Sequence, residues 1–388
     1  MRRHAKPSHK DQVYTMLLNS TTPLRTRVDF GPTVRHRTGD ILRQVECGKR
    51  VLLLHQTSLP QKWLDDLRAS LDRQNFDVSL HTLPDGEEAK SLEQLTGCWE
   101  IMQSKEFTRA DSVVAIGGGA VSDLGGFCAA SYLRGINLFL LPTTLLAQVD
   151  ASIGGKTGIN LRAGKNLAGS FYFPQSVIVD PEFLTTLPAR EFRSGMGEIV
   201  KYAFIEDTIA ESTDYKRSPA PLARALADNF SAGLSADNPF LAPLISICIQ
   251  MKLAVVLKDP FETRLRRCLN LGHTLGHGLE KVTSYGISHG EAVTIGTVFA
   301  FKLAVSKGMI AEAELQKVEH LLKTMQLPYD VPAGIDVEKL VQAVAFDKKR
   351  TGAGIKYVLP EKDSGKVSLD TTVPVDELAD FIRASLAH

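Results

Sequence analysis

The chain has 388 residues, enough at about 150 residues per domain for two large domains or three small ones. Hydrophobic residues make up 44% and charged residues 23%, which excludes wholesale disorder. Lys and Arg number 45 against 44 Asp and Glu, a net charge of +1, so there is no electrostatic ground for a nucleic acid or an anionic membrane as partner.

The basic excess sits in the opening stretch MRRHAKPSHK, which carries Arg2, Arg3, Lys6 and Lys10 and no acid. No apolar run follows it, so it is no secretory signal, and residues 1–25 are expected to form a disordered tail. The five cysteines, Cys47, Cys98, Cys128, Cys248 and Cys268, are scattered with no CxxC pair. That usage points to a reducing compartment, the cytoplasm, and away from a cysteine zinc site. The most apolar windows, 136–149 and 292–305, are interrupted by Pro142 and Lys302 and are too short for the ~20-residue span of a membrane helix.

In chain order, Val51–Leu54 reads as a strand and Leu59–Leu71 as a helix, with Leu59, Trp63, Leu67 and Leu71 at helical spacing. Phe76–Leu83 follows as a strand and Leu92–Met102 as a helix. Ser112–Ile116 is a strand that runs into Gly117, Gly118 and Gly119, and Leu138–Leu141 and Val177–Val179 are further short buried strands. Such alternation predicts a parallel sheet covered by helices, an α/β domain over residues 26–187. From Pro188 onward strand signals become scarce and helical patterns dominate, as in Pro243–Leu257 and Glu291–Lys307, so residues 188–388 are expected to form a mostly α-helical domain. Within it, Arg217–Phe240 reads as a loop around one short helix, and Gly354–Leu359 with Gly365–Leu369 as a late hairpin.

Three stretches, two of them glycine-rich, bear on ligands. Gly117 to Asp123 follows a strand and opens a helix, where backbone N–H groups can meet a pyrophosphate or simply make a tight packing turn. Asp85-Gly86-Glu87-Glu88-Ala89-Lys90 lies at another strand end, the ligand-binding edge of open α/β sheets, or is a solvated charged turn. The stretch from Gln148 to Asn166 includes GGKTG, but Ser152 replaces the first glycine of a P-loop and about a dozen residues separate it from its strand, which excludes an ATPase or kinase. Lys156, Lys165 and Asn166 on this backbone form an expected cradle for a phosphate or another oxyanion.

A metal constellation stands in the second half. His273 and His277 are i, i+4 on one helical face, His289 begins another helix, and Glu198 sits in a helix rich in glycine. A Glu with two His is an open catalytic zinc set. Thr274 stands where a zincin protease needs its Glu, so peptide hydrolysis is excluded.

The stretches AIGGGAVSDLGGFCAASYLRG, LPTTLLAQVDASIGGKTGINLRAGKN, LPAREFRSGMGEIVKY and LNLGHTLGHGLE with SHGEAV occur in one order in which the chain, from about Val51 to Leu359, resembles the 3-dehydroquinate synthases of the sugar-phosphate cyclase superfamily. The resemblance implies an NAD-binding α/β domain, a helical metal domain, and catalysis between them. It implies Glu198, His273 and His289 as ligands of Zn²⁺ (or Co²⁺), with His277 supporting a ligand or handling a proton. Asp150, Lys156, Asn166, Lys201, Lys252, Glu262, Arg266 and Asn270 would line the substrate pocket, and Lys348, in preference to Lys349, would complete it. Arg134 would reach the substrate phosphate across a homodimer interface. NAD would contact Asp85, Glu87, Glu88, Lys90, Gly117, Gly118, Gly119, Ala120, Val121, Asp123, Thr143, Thr144, Lys165 and Thr186, with Gln56 standing where the family usually has Asp or Asn.

The implied reaction cyclises 3-deoxy-D-arabino-heptulosonate 7-phosphate to 3-dehydroquinate. It runs through transient NAD oxidation, phosphate elimination, re-reduction and an intramolecular aldol closure. Lys252, Arg266 and Asn270 match a site that accepts a carboxylate. The run Asp259-Pro260-Phe261-Glu262-Thr263-Arg264 and Gly197, where the family usually has Ala, depart from the pattern. They leave open a cyclase of an amino analogue or of a heptulose phosphate; a metal-dependent polyol dehydrogenase is the remaining alternative.

Overall fold

The structure, a computed structural model, describes residues 14–19, 25–218, 220–346, 354–362 and 365–386. The chain divides into two compact units, Met1–Leu187 with Ala242–Ile249, and Pro188–Leu241 with Gln250–His388.

The first unit is built on a seven-stranded sheet of order β1-β2-β9-β6-β5-β3-β4. Its strands are β1 (Tyr14–Asn19), β2 (Arg25–Phe30), β3 (Arg50–Gln56), β4 (Asp77–Leu83), β5 (Ser112–Gly117), β6 (Asn137–Pro142) and β9 (Ser176–Val179). All pair in parallel except β1 with β2. The two strands before Thr38 lie outside the expected pattern, and β1 falls within the stretch expected as a tail. The continuous apolar runs have the meaning they have in parallel sheets: β5 is buried at every position, β9 likewise, whereas in the edge strand β4 only Leu83 is buried. Val51, Leu53, Val114, Ile116, Phe139, Leu141 and Ile178 pack against Trp63, Leu64, Leu67 and Leu71 of the helix Gln61–Arg73, each buried side chain contributing roughly 1.5–3 kcal/mol.

The chain passes from β3 outward to β4 and then back past β3 to β5, so the strand order reverses between β3 and β5. Open α/β sheets bind ligands at the carboxyl ends of strands beside such a reversal. The expected phosphate cradle is corrected in form. Lys156 opens strand β7 (Lys156–Leu161) and Lys165 and Asn166 lie on strand β8 (Gly164–Phe171), an antiparallel ribbon rather than a loop. Its glycines hid it: Gly158 and Gly169 face each other across the ladder, where a Cβ on Gly169 would lie 2.0 Å from the Thr157 carbonyl oxygen.

The second unit is helical. The helix His289–Ser306 packs against Ala189–Ala203, His273–Val282 and Glu312–Thr324. Leu222–Phe230 is the short helix expected within 217–240. Strands β10 (Ile355–Pro360) and β11 (Val367–Val373) make the late antiparallel hairpin. The helix Leu241–Lys258 is long and apolar enough to cross a membrane by length and composition, and 56% of its window is buried inside the protein.

Candidate metal centre and cofactor site

Two helices meet where the metal ligands were expected. Gly197 and Gly290 let the helices Ala189–Ala203 and His289–Ser306 touch through their backbones: a Cβ on Gly197 would lie 2.4 Å from the Gly290 carbonyl oxygen, and one on Gly290 1.8 Å from that of Ser194. The Ser194 hydroxyl accepts the Gly290 N–H at 3.0 Å. This crossing puts Glu198 and His289, each next to its glycine, face to face.

Glu198 is fully buried. One carboxylate oxygen, Oε2, is held by Lys201 Nζ. The other, Oε1, has no hydrogen bond of good geometry and faces His289 Nε2 at 3.3 Å and His273 Nε2 at 3.5 Å. The outer ring nitrogens are both engaged: His289 Nδ1 with Glu280 Oε2 at 3.1 Å and His273 Nδ1 with the Leu271 carbonyl at 3.1 Å. Carboxylate or carbonyl contacts of this kind orient imidazoles so that Nε2 presents a lone pair. A tetrahedral ion with bonds of about 2.0–2.1 Å spaces its donor atoms about 3.3–3.4 Å apart, which is the spacing of Glu198 with the two imidazoles. The three residues therefore fit a divalent ion.

The electrostatics agree. Burial alone would raise the Glu198 carboxyl, but Lys201 and the two imidazoles outweigh it and hold it well below the usual range. Burial, helped by Lys201, pushes His273 well down, so that it is neutral. Burial also works against a charge on His289, but Glu198 and Glu280 overcome it and raise it to about 10; one proton stands where a cation fits. His277, on the same helix as His273, is exposed, with its ring stacked 6.0 Å from that of His289. It belongs with Glu280 and His289 to a second cluster of donor atoms. That cluster shares His289, whose Nδ1 is already bonded to Glu280, so it supports the inner set. Glu280 carries no role in the sequence reading, although its spacing of i+3 from His277 puts it on the same helix face.

Lys201, Lys252 and Arg266 are buried in the same unit. Asp259 holds the departing loop, accepting from the backbone N–H groups of Thr263, Arg264 and Arg266 at 2.9, 2.7 and 3.0 Å. The Pro260 carbonyl accepts from Arg266 Nη1 at 2.6 Å, and Phe261 points outward, 51% exposed. Asn270 donates to Glu262 Oε1 at 2.7 Å. Lys348 lies outside the described residues.

In the first unit the expected cofactor residues gather at the carboxyl ends of the parallel strands. Gln56 ends β3, and its Oε1 accepts the Gly118 N–H at 3.1 Å across the β3/β5 reversal. Gly117 must be glycine for packing, since a Cβ there would lie 2.7 Å from Val121. Gly119 opens the helix Gly119–Ser131, so the N–H groups of Gly119, Ala120 and Val121 precede any helical acceptor and can serve an anion. Thr143 and Thr144 follow β6, with Thr143 N–H bonded to the Gly117 carbonyl at 2.9 Å and Thr144 Oγ1 accepting from Ala147 N–H at 3.2 Å. Asp85, after β4, accepts from the Ser58 hydroxyl at 2.7 Å. Thr186 takes the Trp63 indole N–H at 2.9 Å and donates to the Phe183 carbonyl at 3.1 Å, so towards a ligand its hydroxyl can only accept.

Lys90 is buried between Asp123, 2.6 Å away, and Asn166. Burial raises the Asp123 carboxyl to about 6 even against Lys90. Burial also works upward on Glu87, but Asn160, Lys90 and Lys165 outweigh it and lower its carboxyl. Lys165 pairs with Glu87 at 3.3 Å, and Glu88 is exposed. Asp150 lies in the turn Ala147–Ala151 and Lys156 at the start of β7. Arg134 is exposed on a left-handed stretch, Leu133-Arg134-Gly135, with φ of 49°, 65° and 125°.

Comparison with known proteins gives this arrangement a family. Residues 80–194 match the family model of the 3-dehydroquinate synthase N-terminal region, and residues 195–350 that of the C-terminal region. The 3-dehydroquinate synthase of Nostoc punctiforme is 37% identical over 365 residues, covering 93% of this chain and 97% of the relative; that of Shewanella sp. strain MR-4 is 39% identical over 338 residues, covering 86% and 89%. The chain belongs to the 3-dehydroquinate synthase family. Among solved structures, 2-deoxy-scyllo-inosose synthase complexed with carbaglucose-6-phosphate, NAD⁺ and Co²⁺ is similar at a TM-score of 0.84 and 25% identity, covering 96% of this chain and all of that one. The 2-epi-5-epi-valiolone synthase of Streptomyces hygroscopicus subsp. jinggangensis, with NAD⁺ and Zn²⁺ bound, is similar at 0.77 and 25%, covering 93% and 96%. An iron-containing alcohol dehydrogenase, at 18% identity and a TM-score of 0.62, shares the fold alone.

Proposed function

We propose that this chain catalyses its family's reaction, closing 3-deoxy-D-arabino-heptulosonate 7-phosphate to 3-dehydroquinate with loss of phosphate, as a homodimer in the cytoplasm. One observation carries the reading: Lys201, Lys252 and Arg266 are buried in the unit that holds the Glu198–His273–His289 donors. Three cations in one unit with the metal donors suit a substrate that carries both a carboxylate and a phosphate.

Glu198, His273 and His289 would hold Zn²⁺ or Co²⁺, and the carboxyl ends of the parallel strands would hold NAD, with Gly117–Asp123, Asp85–Lys90, Thr143, Thr144, Lys165 and Thr186 in contact with it. When bound, the ion supplies Lewis acidity at a substrate hydroxyl and the dinucleotide accepts and returns a hydride, leaving the overall reaction redox-neutral.

The chain's own groups do the rest. Lys201 fixes one oxygen of Glu198 and sets positive charge where enolate charge develops. Arg266, held by the Pro260 carbonyl, and Lys252 take the substrate carboxylate, the guanidinium offering a bidentate grip. Glu262 fixes the Asn270 amide so that its oxygen can accept from a substrate hydroxyl. Asp150, Lys156 and Asn166 would also contact the substrate. His277, open to solvent beside His289, exchanges protons. Arg134, displayed outward, reaches a phosphate held by the other subunit. Five buried cysteines without a disulfide suit a reducing compartment.

Lys252, Arg266 and Asn270 suit a carboxylate, which favours the heptulosonate over the other cyclase substrates. The test incubates the protein with NAD⁺, Zn²⁺ and the heptulosonate phosphate and follows phosphate and NADH together. Phosphate release on catalytic NAD⁺ is expected. Accumulating NADH would make the chain a dehydrogenase, and silence with this substrate would reassign it to another sugar phosphate.

A further inference from the structure

Asn160 is absent from the sequence-derived site, yet it hydrogen-bonds two separate segments through three groups. Its side-chain N–H donates to Glu87 Oε2 at 2.6 Å, its side-chain oxygen accepts the Asn166 backbone N–H at 3.0 Å, and its own backbone N–H donates to the Lys90 carbonyl at 2.8 Å. One segment is the turn Gly86–Ala89 with Lys90, after β4; the other is β8, across the ribbon from Asn160. The network closes on itself. Lys90 Nζ reaches Asn166 and, at 2.6 Å, Asp123 Oδ2, while Lys165, beside Asn166, pairs with Glu87 at 3.3 Å.

Asn166 is fixed by this contact. Its backbone is left-handed, with φ of 58°, a conformation that Asn adopts more readily than other non-glycine residues, and the Asn160 oxygen holds its N–H in that conformation. The Asn160 amide is also chemically particular. It gives an N–H to a carboxylate and takes an N–H from the backbone at once. An Asp could do only the second and would repel Glu87; an apolar residue could do neither.

We propose that Asn160 is a positioning residue that couples the cofactor-binding turn Glu87–Lys90 to the substrate-facing Asn166, so that an occupied NAD site fixes the Asn166 side chain for the sugar phosphate. This rests on the functional reading above, in which Glu87 and Lys90 serve NAD and Asn166 the substrate. A mere structural tie would hold the ribbon down and affect only its stability.

Asn160→Asp and Asn160→Ala separate these possibilities. NAD⁺ affinity is measured by calorimetry without sugar phosphate, kcat by phosphate release at saturating NAD⁺, and Tm by thermal unfolding. Both variants lose the bond to Glu87, and their Kd for NAD⁺ should rise about tenfold or more. Asn160→Asp keeps an acceptor for the Asn166 N–H, so its kcat should stay within about threefold of the parent, whereas Asn160→Ala should lose about tenfold. An NAD⁺ affinity within about twofold of the parent in both variants overturns the proposal, as do equal kcat values for the two. A drop in Tm with no split between them also counts against it. If the parent protein releases no phosphate, the functional reading fails instead, and the NAD⁺ titration of the two variants decides the Asn160 proposal by itself.

Discussion

His289 is held by Glu280: Nδ1 of the imidazole lies 3.1 Å from Oε2 of the carboxylate, which leaves Nε2 directed at Glu198 Oε1, 3.3 Å away. An imidazole fixed on one side by a carboxylate has a defined tautomer and a more basic second nitrogen, and loss of such a partner costs about 10–100-fold in metal affinity. Glu280→Ala should therefore weaken Zn²⁺ binding by about that factor, read by competition against a chromophoric chelator. Glu280→Gln, which keeps an acceptor, should lose less. NAD⁺ affinity serves as the control and should not move. Equal Zn²⁺ affinity in Glu280→Ala and the parent protein would remove Glu280 from the metal site.

His273 tests the ligand set itself. Its Nε2 is 3.5 Å from Glu198 Oε1, and its Nδ1 is taken by the Leu271 carbonyl, so only Nε2 is left to bind an ion. His273→Ala should bring turnover down by about a thousandfold or more and reduce bound metal below one ion per chain. Metal analysis of the dialysed protein and a phosphate-release assay check both outcomes. Retained activity with metal still bound would refute the assignment.

How much of this could be read before the fold was known differs by type of contact. Strands β1 and β2 were missed, whereas those from β3 to β6 and β9 were legible, most plainly β5 and β9, which are buried at every position and leave continuous apolar runs. The β7–β8 ribbon was not, because Lys156, Gly158, Lys165 and Gly169 carry no apolar alternation and its ladder is made of backbone bonds. The pairing of His273 with His277 follows from i, i+4 spacing alone. Their meeting with Glu198 does not, since it depends on backbone contact between Gly197 and Gly290, ninety-odd residues apart in sequence. Glu280 and Asn160 escaped for a related reason. Each acts by hydrogen-bonding another site residue, and no residue-type signature marks that role.

Arg266 is the residue that should distinguish a carboxylate substrate from a neutral one. Its side chain is buried and held by the Pro260 carbonyl at 2.6 Å, so the fork is fixed before any ligand arrives. Lys cannot reproduce a planar two-point grip. Arg266→Lys should raise KM for the heptulosonate phosphate by about ten- to a hundredfold, with a smaller change in kcat. Steady-state kinetics measure the split, and a Tm near that of the parent protein shows that the Asp259 loop is intact. If KM is unchanged, the carboxylate is bound elsewhere.

Arg35 braces the edge of the first unit that carries Thr186. It pairs at 2.8 Å with Asp180, which is fully buried, and stacks 4.6 Å over Trp63, the donor to Thr186. Its contacts with Asp66 and Glu182 are more exposed and contribute little. Arg35→Met keeps the stacking surface but leaves the Asp180 charge buried without its cation, a loss of about 3–5 kcal/mol. Backbone N–H groups of Thr33 and Glu182, at 3.2 and 3.0 Å, still reach Asp180 and favour the lower end. Burial already raises the Asp180 carboxyl above its usual value although Arg35 opposes it, so the substitution raises it further. The ionised carboxylate is then the costly form. The lost stability is greatest above that raised value and shrinks as pH falls through it and the carboxyl takes up a proton. Urea unfolding at about pH 8 and about pH 5 should show the gap to the parent protein narrowing at the lower pH. A gap of the same size at both pH values would mean that Arg35 acts through packing and not through Asp180, and one that widens at the lower pH would refute the charge argument outright.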